Sequence, residues 1–242
     1  MKVLVDATHE VGRRTARVLN AEESIDYIGL WYDEEAPRRP RSGPTTTVEG
    51  YDIVVSDRLD HYENLIARAA VEGIPTVLWS EADELAAGPA AAPVVTGANV
   101  GTALTVALLH HPSADVTDDD TYTVAWTEPG APLRNGHPIA FPDPVGMSWA
   151  KRRGDEGFVA FRSDQWGGAV VNVEGPAGDR VIGVADHAAH LEALVLAAAT
   201  LTVADTPLDS TVQSASAIGE RLMNSLRRVE LDFAVWRCLL YT

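Results

Sequence analysis

Residues 3–19 read VLVDATHEVGRRTARVL, and this stretch decides the fold. Residues 3–5 form a short apolar run, as a buried strand requires. From residue 11 to residue 19, apolar and small side chains recur at helical spacing. We therefore predict a strand over residues 2–5, a tight turn, and a helix over residues 11–20.

The turn between this strand and helix is poor in glycine. A turn that cradles a pyrophosphate uses glycines to turn tightly and to let the backbone approach the phosphates. This one carries Asp6 and His9 and keeps only Gly12. At about 5 Å and an effective dielectric of about 20, Asp6 would repel each phosphate charge by roughly 3 kcal/mol. The turn therefore predicts weak dinucleotide binding in the ordinary pose.

Strand and helix patterns alternate over the first hundred residues, which favours a parallel sheet covered by helices. The stretch EEAPRRPRSGP is typical of a turn. Gly73 and Pro112 end the two later helices. The strands are predicted over residues 27–31, 51–56, 75–79 and 93–96, and these helices over residues 60–73 and 97–111.

The pattern changes after residue 112. SADVTDDD is acidic and turn-like, as expected of a crossover between domains. TYTVAW alternates as a strand, PLRNGHPIAFPDPVG is typical of a loop or hairpin, and residues 158–185 predict two or three antiparallel strands. A nearly all-apolar helix follows over residues 186–204, and residues 211–240 predict a C-terminal helix.

Composition excludes several classes of protein. The 242 residues carry a formal net charge of −16, which would repel nucleic acid and anionic membranes. The single cysteine, Cys238, forms no intrachain disulfide and suits a reducing compartment. The sequence has no signal-peptide pattern, and Glu192 interrupts its longest apolar stretch. We therefore expect a cytoplasmic protein that binds neither nucleic acid nor membrane.

The stretch DATHEVGR resembles the GATGxxGR turn of extended short-chain dehydrogenases and saccharopine-dehydrogenase-like oxidoreductases. In that alignment Asp6 and His9 replace the first two glycines, and Gly12 keeps the third. The resemblance implies a Rossmann-type fold that binds NAD or NADP. It also implies that the turn contributes the cofactor-binding residues Asp6, Thr8, His9, Val11, Gly12 and Arg13.

A second stretch, TGANVGTALTVALL, is similar to dihydrodipicolinate-reductase and saccharopine-dehydrogenase proteins, in which a glycine-bearing segment opens a helix near the interdomain cleft. That group places an NAD(P)-binding domain before a mixed sheet-and-helix domain. We therefore predict an α/β protein with a Rossmann-type domain over residues 1–115 and a smaller α+β substrate or dimerisation domain over residues 116–210. The C-terminal helix, residues 211–242, is expected to pack back on the first domain.

Further cofactor contacts are expected at the carboxyl ends of the predicted strands. Asp33 would hold the ribose hydroxyls, or it is simply a loop acid beside Tyr32. Ser56, Ser80 and Asn99 lie where a nicotinamide or a substrate would be touched, although Ser80 would equally cap a helix. The arginines of the neighbouring stretch would hold a 2′-phosphate or lie in an exposed loop; they are Arg38, Arg39 and Arg41.

No catalytic group or metal site follows from the sequence. His187 and His190 share a helix face with Asp186, but Asp186 is more simply an N-cap, and we predict no metal. The polar second-domain loops would roof the crevice, yet their spacing makes no triad or carboxylate pair. Their candidate residues are Glu128, His137 and Arg153.

The sequence is compatible with two functions. One is an NAD(P)-dependent oxidoreductase that acts on a small molecule, as the resemblance implies. The other is a non-catalytic relative that has lost dinucleotide binding and serves ligand sensing or dimeric interaction. The resemblance also implies a homodimer, formed through the outer face of the second-domain sheet.

Overall fold

The computed structural model describes residues 1–31, 39–57, 62–81, 91–155, 157–176 and 178–238. The strands are β1 (Lys2–Asp6), β2 (Tyr27–Trp31), β3 (Ser42–Thr45), β4 (Ile53–Ser56), β5 (Thr76–Leu78), β6 (Val94–Thr96), β7 (Thr121–Pro129), β8 (His137–Ala140), β9 (Met147–Arg153), β10 (Gly157–Arg162), β11 (Trp166–Glu174), β12 (Asp179–His187), β13 (Val212–Ser214) and β14 (Ala234–Cys238). The helices are α1 (Glu10–Ala21), α2 (Tyr62–Val71), α3 (Thr105–Leu109), α4 (Ala188–Asp205) and α5 (Gly219–Arg228). A π-helical turn, Val100–Leu104, precedes α3, and a 3-10 turn, Ala215–Ile218, precedes α5.

Seven strands form an all-parallel sheet in the order β13-β6-β5-β4-β1-β2-β3. From β3 to β6 the strands follow the order found in dinucleotide-binding sheets. In that order all strands stay parallel, and the sequence of strands along the sheet reverses between β1 and β4. Every residue of β4, and every residue of β1 after Lys2, is buried, because elements cover both faces of the sheet. The carboxyl ends of these strands therefore meet at one edge, where ligands bind in such folds.

The other seven strands form a second sheet in the order β14-β12-β11-β7-β10-β9-β8. Its neighbours are antiparallel except for β7 and β10, which run parallel. Of the strands predicted over residues 158–185, β11 and β12 form an antiparallel pair as expected, whereas β10 is separated from β11 by β7. Together with the parallel sheet and α5, this arrangement confirms the predicted α/β fold class.

Helix α4 lies between the two sheets. It packs on α1 and α5 and contacts β4 and β5 of one sheet and β11 and β12 of the other. A helix that is covered on several sides needs apolar residues all round, and twelve of its residues are buried. By length and composition alone this is the one described helix that could cross a membrane; here it forms the middle of the core.

One hydrophobic core connects the two sheets through this helix. It includes Val5 and Val55 of the parallel sheet, Leu194 of α4, and Val171 and Ile182 of the second sheet. The domain boundaries predicted near residues 115 and 210 are not marked by any break in this core, because apolar packing is continuous across both positions. They stay a prediction.

The C-terminal segment differs from the single helix predicted over residues 211–240. Its helix is confined to residues 219–228, preceded by β13, which pairs with β6, and followed by β14, which pairs with β12. Phe233 and Trp236 consequently lie beyond the helix. The stretch predicted as a turn before the third strand also contains β3, an edge strand paired with β2.

Candidate functional site

Asp6 ends β1 at the carboxyl edge of the parallel sheet and is completely buried. Thr8 donates to its Oδ1 from both the backbone N–H (3.2 Å) and the side-chain Oγ1 (2.7 Å). Ser56, at the end of β4, donates from Oγ to its Oδ2 at 3.2 Å. Three of the predicted cofactor residues are thus brought together, but they bind one another and close the turn.

Asp57 occupies the position at which a phosphate would be expected. The first turn of a helix presents free N–H groups and a positive dipole end, which attract an anion. In α1 the N–H of Gly12 donates to Oδ2 of Asp57 at 2.9 Å, and Asp57 is 7% exposed. Here the anion at the helix terminus is the protein's own carboxylate.

The electrostatics of this turn oppose a second anion. Burial raises the pKa of Asp57, and the neighbouring Asp6 raises it further, while the Gly12 N–H and His9 lower it. Its Oδ1 is buried without a hydrogen-bond partner in the described part of the chain. A pyrophosphate in the ordinary pose would have to displace Asp57 while approaching Asp6. These residues therefore do not fit a dinucleotide bound in that pose.

Gly12 retains the packing role of the third glycine. A Cβ built at this position would lie 1.9 Å from the carbonyl oxygen of Asp6, closer than any two such atoms can approach. Only glycine lets the first turn of α1 pack so closely on the end of β1.

The other predicted turn residues have different surroundings. His9 is the exposed N-cap residue of α1 and makes no capping hydrogen bond through its side chain. Arg13 is exposed and donates to the carbonyl oxygen of Thr8 at 2.8 Å, which ties the helix to the turn. Val11 lines a cavity between the two sheets.

Ser80 and Asn99 connect the ends of β5 and β6. The carbonyl oxygen of Ser80 accepts from the N–H of Gly97 at 2.8 Å. Asn99 caps the π-helical turn, because its Oδ1 accepts from the N–H of Thr102 and its Nδ2 donates to the carbonyl oxygen of Trp79, both at 2.9 Å. These hydrogen bonds tie the end of β5 to the segment after β6 and to the start of the π-helical turn.

Part of the predicted cofactor site lies outside the described residues, namely Tyr32, Asp33 and Arg38. Arg39 is described and exposed. Arg41 donates to the carbonyl oxygens of Glu22, at 2.7 Å, and Ile25. Arg41 therefore stabilises the loop before β2, and these hydrogen bonds use the guanidinium group that was expected to bind a 2′-phosphate.

A cavity of about 260 Å³ opens at the carboxyl edge of the parallel sheet, between that sheet and the second one. Its walls come from α1, the end of β5, the π-helical turn, α4, and strands β7, β10 and β11. Most of the lining is apolar. Its lining includes Val11, Trp79, Val100, Glu128, Arg162, Asp164, Trp166, Leu191 and Glu192.

Glu192 is the least expected polar residue of this cavity, since it lies on the otherwise apolar α4. Its Oε2 accepts from the indole Nε1 of Trp79 at 2.7 Å and from the N–H of Val100 at 3.0 Å. Burial raises the pKa of Glu192 to about 7, although these two hydrogen bonds act in the opposite direction. The cavity thus contains a carboxyl group that exchanges a proton near neutral pH.

Glu128, on β7, is the second carboxyl group of the cavity. Its Oε2 accepts from Arg153 at 2.7 Å, and its Oε1 accepts from Arg153 and, at 3.0 Å, from the indole of Trp126. Burial opposes ionisation, yet these donors outweigh it and hold the pKa of Glu128 below its ordinary value. Of the three residues predicted to roof the crevice, Glu128 lines the cavity and Arg153 binds the carboxylate of Glu128. His137 instead stacks on Phe158.

The histidines near the start of α4 form no metal site. His190 Nε2 lies 3.8 Å from Asp186 Oδ2, a long contact that becomes an ion pair when the histidine is protonated. Within the described ranges, no group of three or more His, Cys, Asp or Glu residues could hold a metal ion.

Sequence reasoning missed Asp57 and the functional interest of Glu192. Asp57 directly follows a predicted strand, which was the available signal. Glu192 was visible as a lone carboxylate inside an apolar helix, and such a group is either paired or functional when buried.

Comparison with known proteins identifies a shared fold. Neither the protein-family models nor the curated proteins include a match. Among solved structures, a dipicolinate-bound dihydrodipicolinate reductase from Paenisporosarcina sp. TG-14 matches with a TM-score of 0.54 and 9% identity, over 90% of this chain and 99% of the reductase. The chain therefore has the Rossmann-type architecture of that reductase, at a sequence distance that carries no activity with it.

Proposed function

We propose that this protein is a Rossmann-fold relative that no longer binds a dinucleotide in the ordinary pose and instead binds a small molecule between its two sheets. The observation that carries the proposal is the 2.9 Å hydrogen bond from the Gly12 N–H to Asp57. It fills the anion site of α1 with a carboxylate, next to the buried Asp6.

The cavity supports the second half of the proposal. It lies at the carboxyl edge of a parallel sheet, where α/β proteins bind their ligands. Its volume of about 260 Å³ is near the lower end of small-molecule sites, which span roughly 300–1,000 Å³. A mostly apolar lining with two carboxyl groups of different acidity is typical of a specific site.

An NAD(P)-dependent oxidoreductase is the rival function, favoured by the strand order and by the reductase with the same architecture. In that case the cofactor would be NAD or NADP, held in a pose that avoids the Gly12 amide. The homodimer and the cytoplasmic location remain predictions under either function.

Calorimetric titration with NAD(H) and NADP(H) separates the two functions. We expect the unmodified protein to bind no dinucleotide at micromolar concentration. Asp57→Ala frees the Gly12 N–H and removes one repelling charge, so affinity should rise at least about tenfold. Asp119→Asn, in the exposed crossover loop, removes one negative charge elsewhere and serves as the control. Micromolar binding by the unmodified protein would refute the proposal.

A further inference from the structure

Glu192 has one carboxylate oxygen without a donor. Both of its hydrogen bonds, from Trp79 and from the N–H of Val100, go to Oε2. No donor within the described ranges reaches Oε1, although Glu192 lines the cavity. Glu192 is half-buried, and its Oε1 is not one of the enclosed polar atoms without a partner in the described part of the chain. Oε1 is therefore available to a molecule in the cavity.

The charges around the cavity favour a cation. Three carboxyl groups line it, and two of them are paired, Glu128 with Arg153 and Asp164 with Arg162. The carboxyl group of Glu192 has no cationic partner among the described residues. Arg162 is already bound, since it donates to both carboxylate oxygens of Asp164 and to the carbonyl oxygen of Val145 at 2.9 Å. Among the described lining residues, no cationic group remains to receive an anion.

The rest of the wall suits an apolar body. The indole rings of Trp79 and Trp166 contribute to it, together with Val11, Val100 and Leu191. Indole faces attract cations as well as apolar groups, through the negative face of the ring. Aromatic faces beside a carboxylate are the combination that recognises organic ammonium groups.

The geometry points to a small organic amine as the ligand, bound as its ammonium form with the N⁺–H group on Oε1 of Glu192 and the apolar body between Trp79 and Trp166. This inference rests on the proposed function, because it assigns a ligand class to the same cavity. Each contact uses a residue that lines the cavity.

Protonation of Glu192 couples this binding to pH. Ammonium binding requires the ionised carboxylate, and the pKa of Glu192 in the free protein is about 7. The other charged groups at the cavity are Glu128 from β7 with its partner Arg153 from β9, Arg162 at the end of β10, and Asp164 from the turn that follows. The residues from α1 and the π-helical turn are the uncharged Val11 and Val100. Affinity should therefore fall about tenfold for each pH unit below 7 and level off above it.

Calorimetry with three probes of matched size tests the inference. The probes are benzylamine, benzyl alcohol and benzoate, which are cationic, neutral and anionic at pH 8. We expect benzylamine to bind at least about tenfold more tightly than benzyl alcohol and benzoate not to bind. At pH 7, benzylamine binding should release about half a proton, detected as a dependence of the heat on the buffer.

Two variants locate the binding. Glu192→Gln keeps an oxygen that accepts from Trp79 and Val100, so the fold is retained, but the preference for benzylamine and its pH dependence should disappear. Glu72→Gln, at an exposed position just after α2, removes the same charge at a residue that does not line the cavity, and this variant should bind as the unmodified protein does.

Several results would overturn the inference: no benzylamine binding at millimolar concentration, equal binding of the alcohol, pH-independent affinity, or full binding by Glu192→Gln. Failure of the proposed function has a separate signature, which is micromolar NAD(P)H binding by the unmodified protein. If benzyl alcohol binds in the cavity as tightly as benzylamine, or if benzoate binds there, and no dinucleotide binds, the proposed function stands and the amine is rejected.

Discussion

Gly12 is the residue that lets α1 pack against the end of β1. A Cβ here would meet the carbonyl oxygen of Asp6 at 1.9 Å, and both backbones are held in place, by strand pairing and by Asp57. We expect Gly12→Ala to destabilise the protein by on the order of 3 kcal/mol, despite the higher helix propensity of alanine. Urea unfolding measures the difference, with exposed Arg17→Ala on the same helix as the near-neutral control. An unchanged free energy of unfolding would contradict the close packing.

Glu192 makes stability depend on pH. Its pKa is raised from 4.5 to about 7, so the folded state favours the protonated form. The resulting stabilisation is fully present below pH 4.5 and is lost as the pH rises through 7. With about 1.4 kcal/mol for each pKa unit, Glu192→Gln should gain on the order of 3 kcal/mol over the unmodified protein between pH 4.5 and pH 8.

The measurement is urea unfolding of both proteins at several pH values. If their difference in free energy of unfolding stays constant between pH 4.5 and pH 8, the Glu192 carboxyl is not perturbed. Parallel measurements on Glu72→Gln correct for the change in net charge.

The sequence locates the turn residues but not their partners. Asp6, Thr8 and Gly12 are close in the chain, so the strand–turn–helix pattern identifies them together. Asp57 is 45 residues from Gly12, and only the pairing of β1 with β4 brings it there. Likewise the contact of Glu192 with Trp79 spans 113 residues, a separation over which hydrophobic periodicity has no information.

At the scale of elements, prediction succeeds where the local pattern alone determines the structure. The apolar runs of β1 and β2 and the amphipathic α1 fall close to their predicted positions. Strand β3 was missed because Gly43 and Pro44 are poor strand formers, and it is formed at the sheet edge, where proline is tolerated.

The end of α5 was missed because it lacks the usual glycine. Helices often end with a residue in the left-handed conformation, most often glycine. Here Glu230 adopts it with φ 60°, while the N–H of Leu231 donates to the carbonyl oxygen of Leu226 and that of Glu230 to Arg227. Because Leu231 is buried, tertiary packing stabilises this helix end, which no local sequence signal predicts.

At the scale of the molecule, the C-terminal segment contributes to both sheets and to the core between them. We predict that deletion of residues 211–242 abolishes cooperative folding, because it removes β13, α5 and β14 together. It exposes the partners of Ile218, Leu222, Met223 and Leu226, each at most 4% exposed. Burial of these side chains contributes on the order of 8 kcal/mol, comparable to the whole stability of a typical domain.

Thermal melting followed by circular dichroism, with size-exclusion chromatography, tests this expectation. A chain that ends at residue 238 retains every described element and is the control. A soluble deletion protein with a sharp melting transition would show that the segment is dispensable.

The path of the chain between the two sheets also bears on how fast the protein folds. The chain completes six strands of the parallel sheet, builds six of the second, and then returns for β13 before it leaves again for β14. Neither sheet is therefore built from one contiguous segment of the chain. Strands β6 and β13, which pair, are separated in sequence by the six strands β7 to β12 of the second sheet. Such a high contact order slows folding, since the entropy of closing long loops is lost before the contacts form. Slow folding follows from this interleaving, as does a transient intermediate in which the apolar α4 is exposed to chaperones while the two sheets assemble around it.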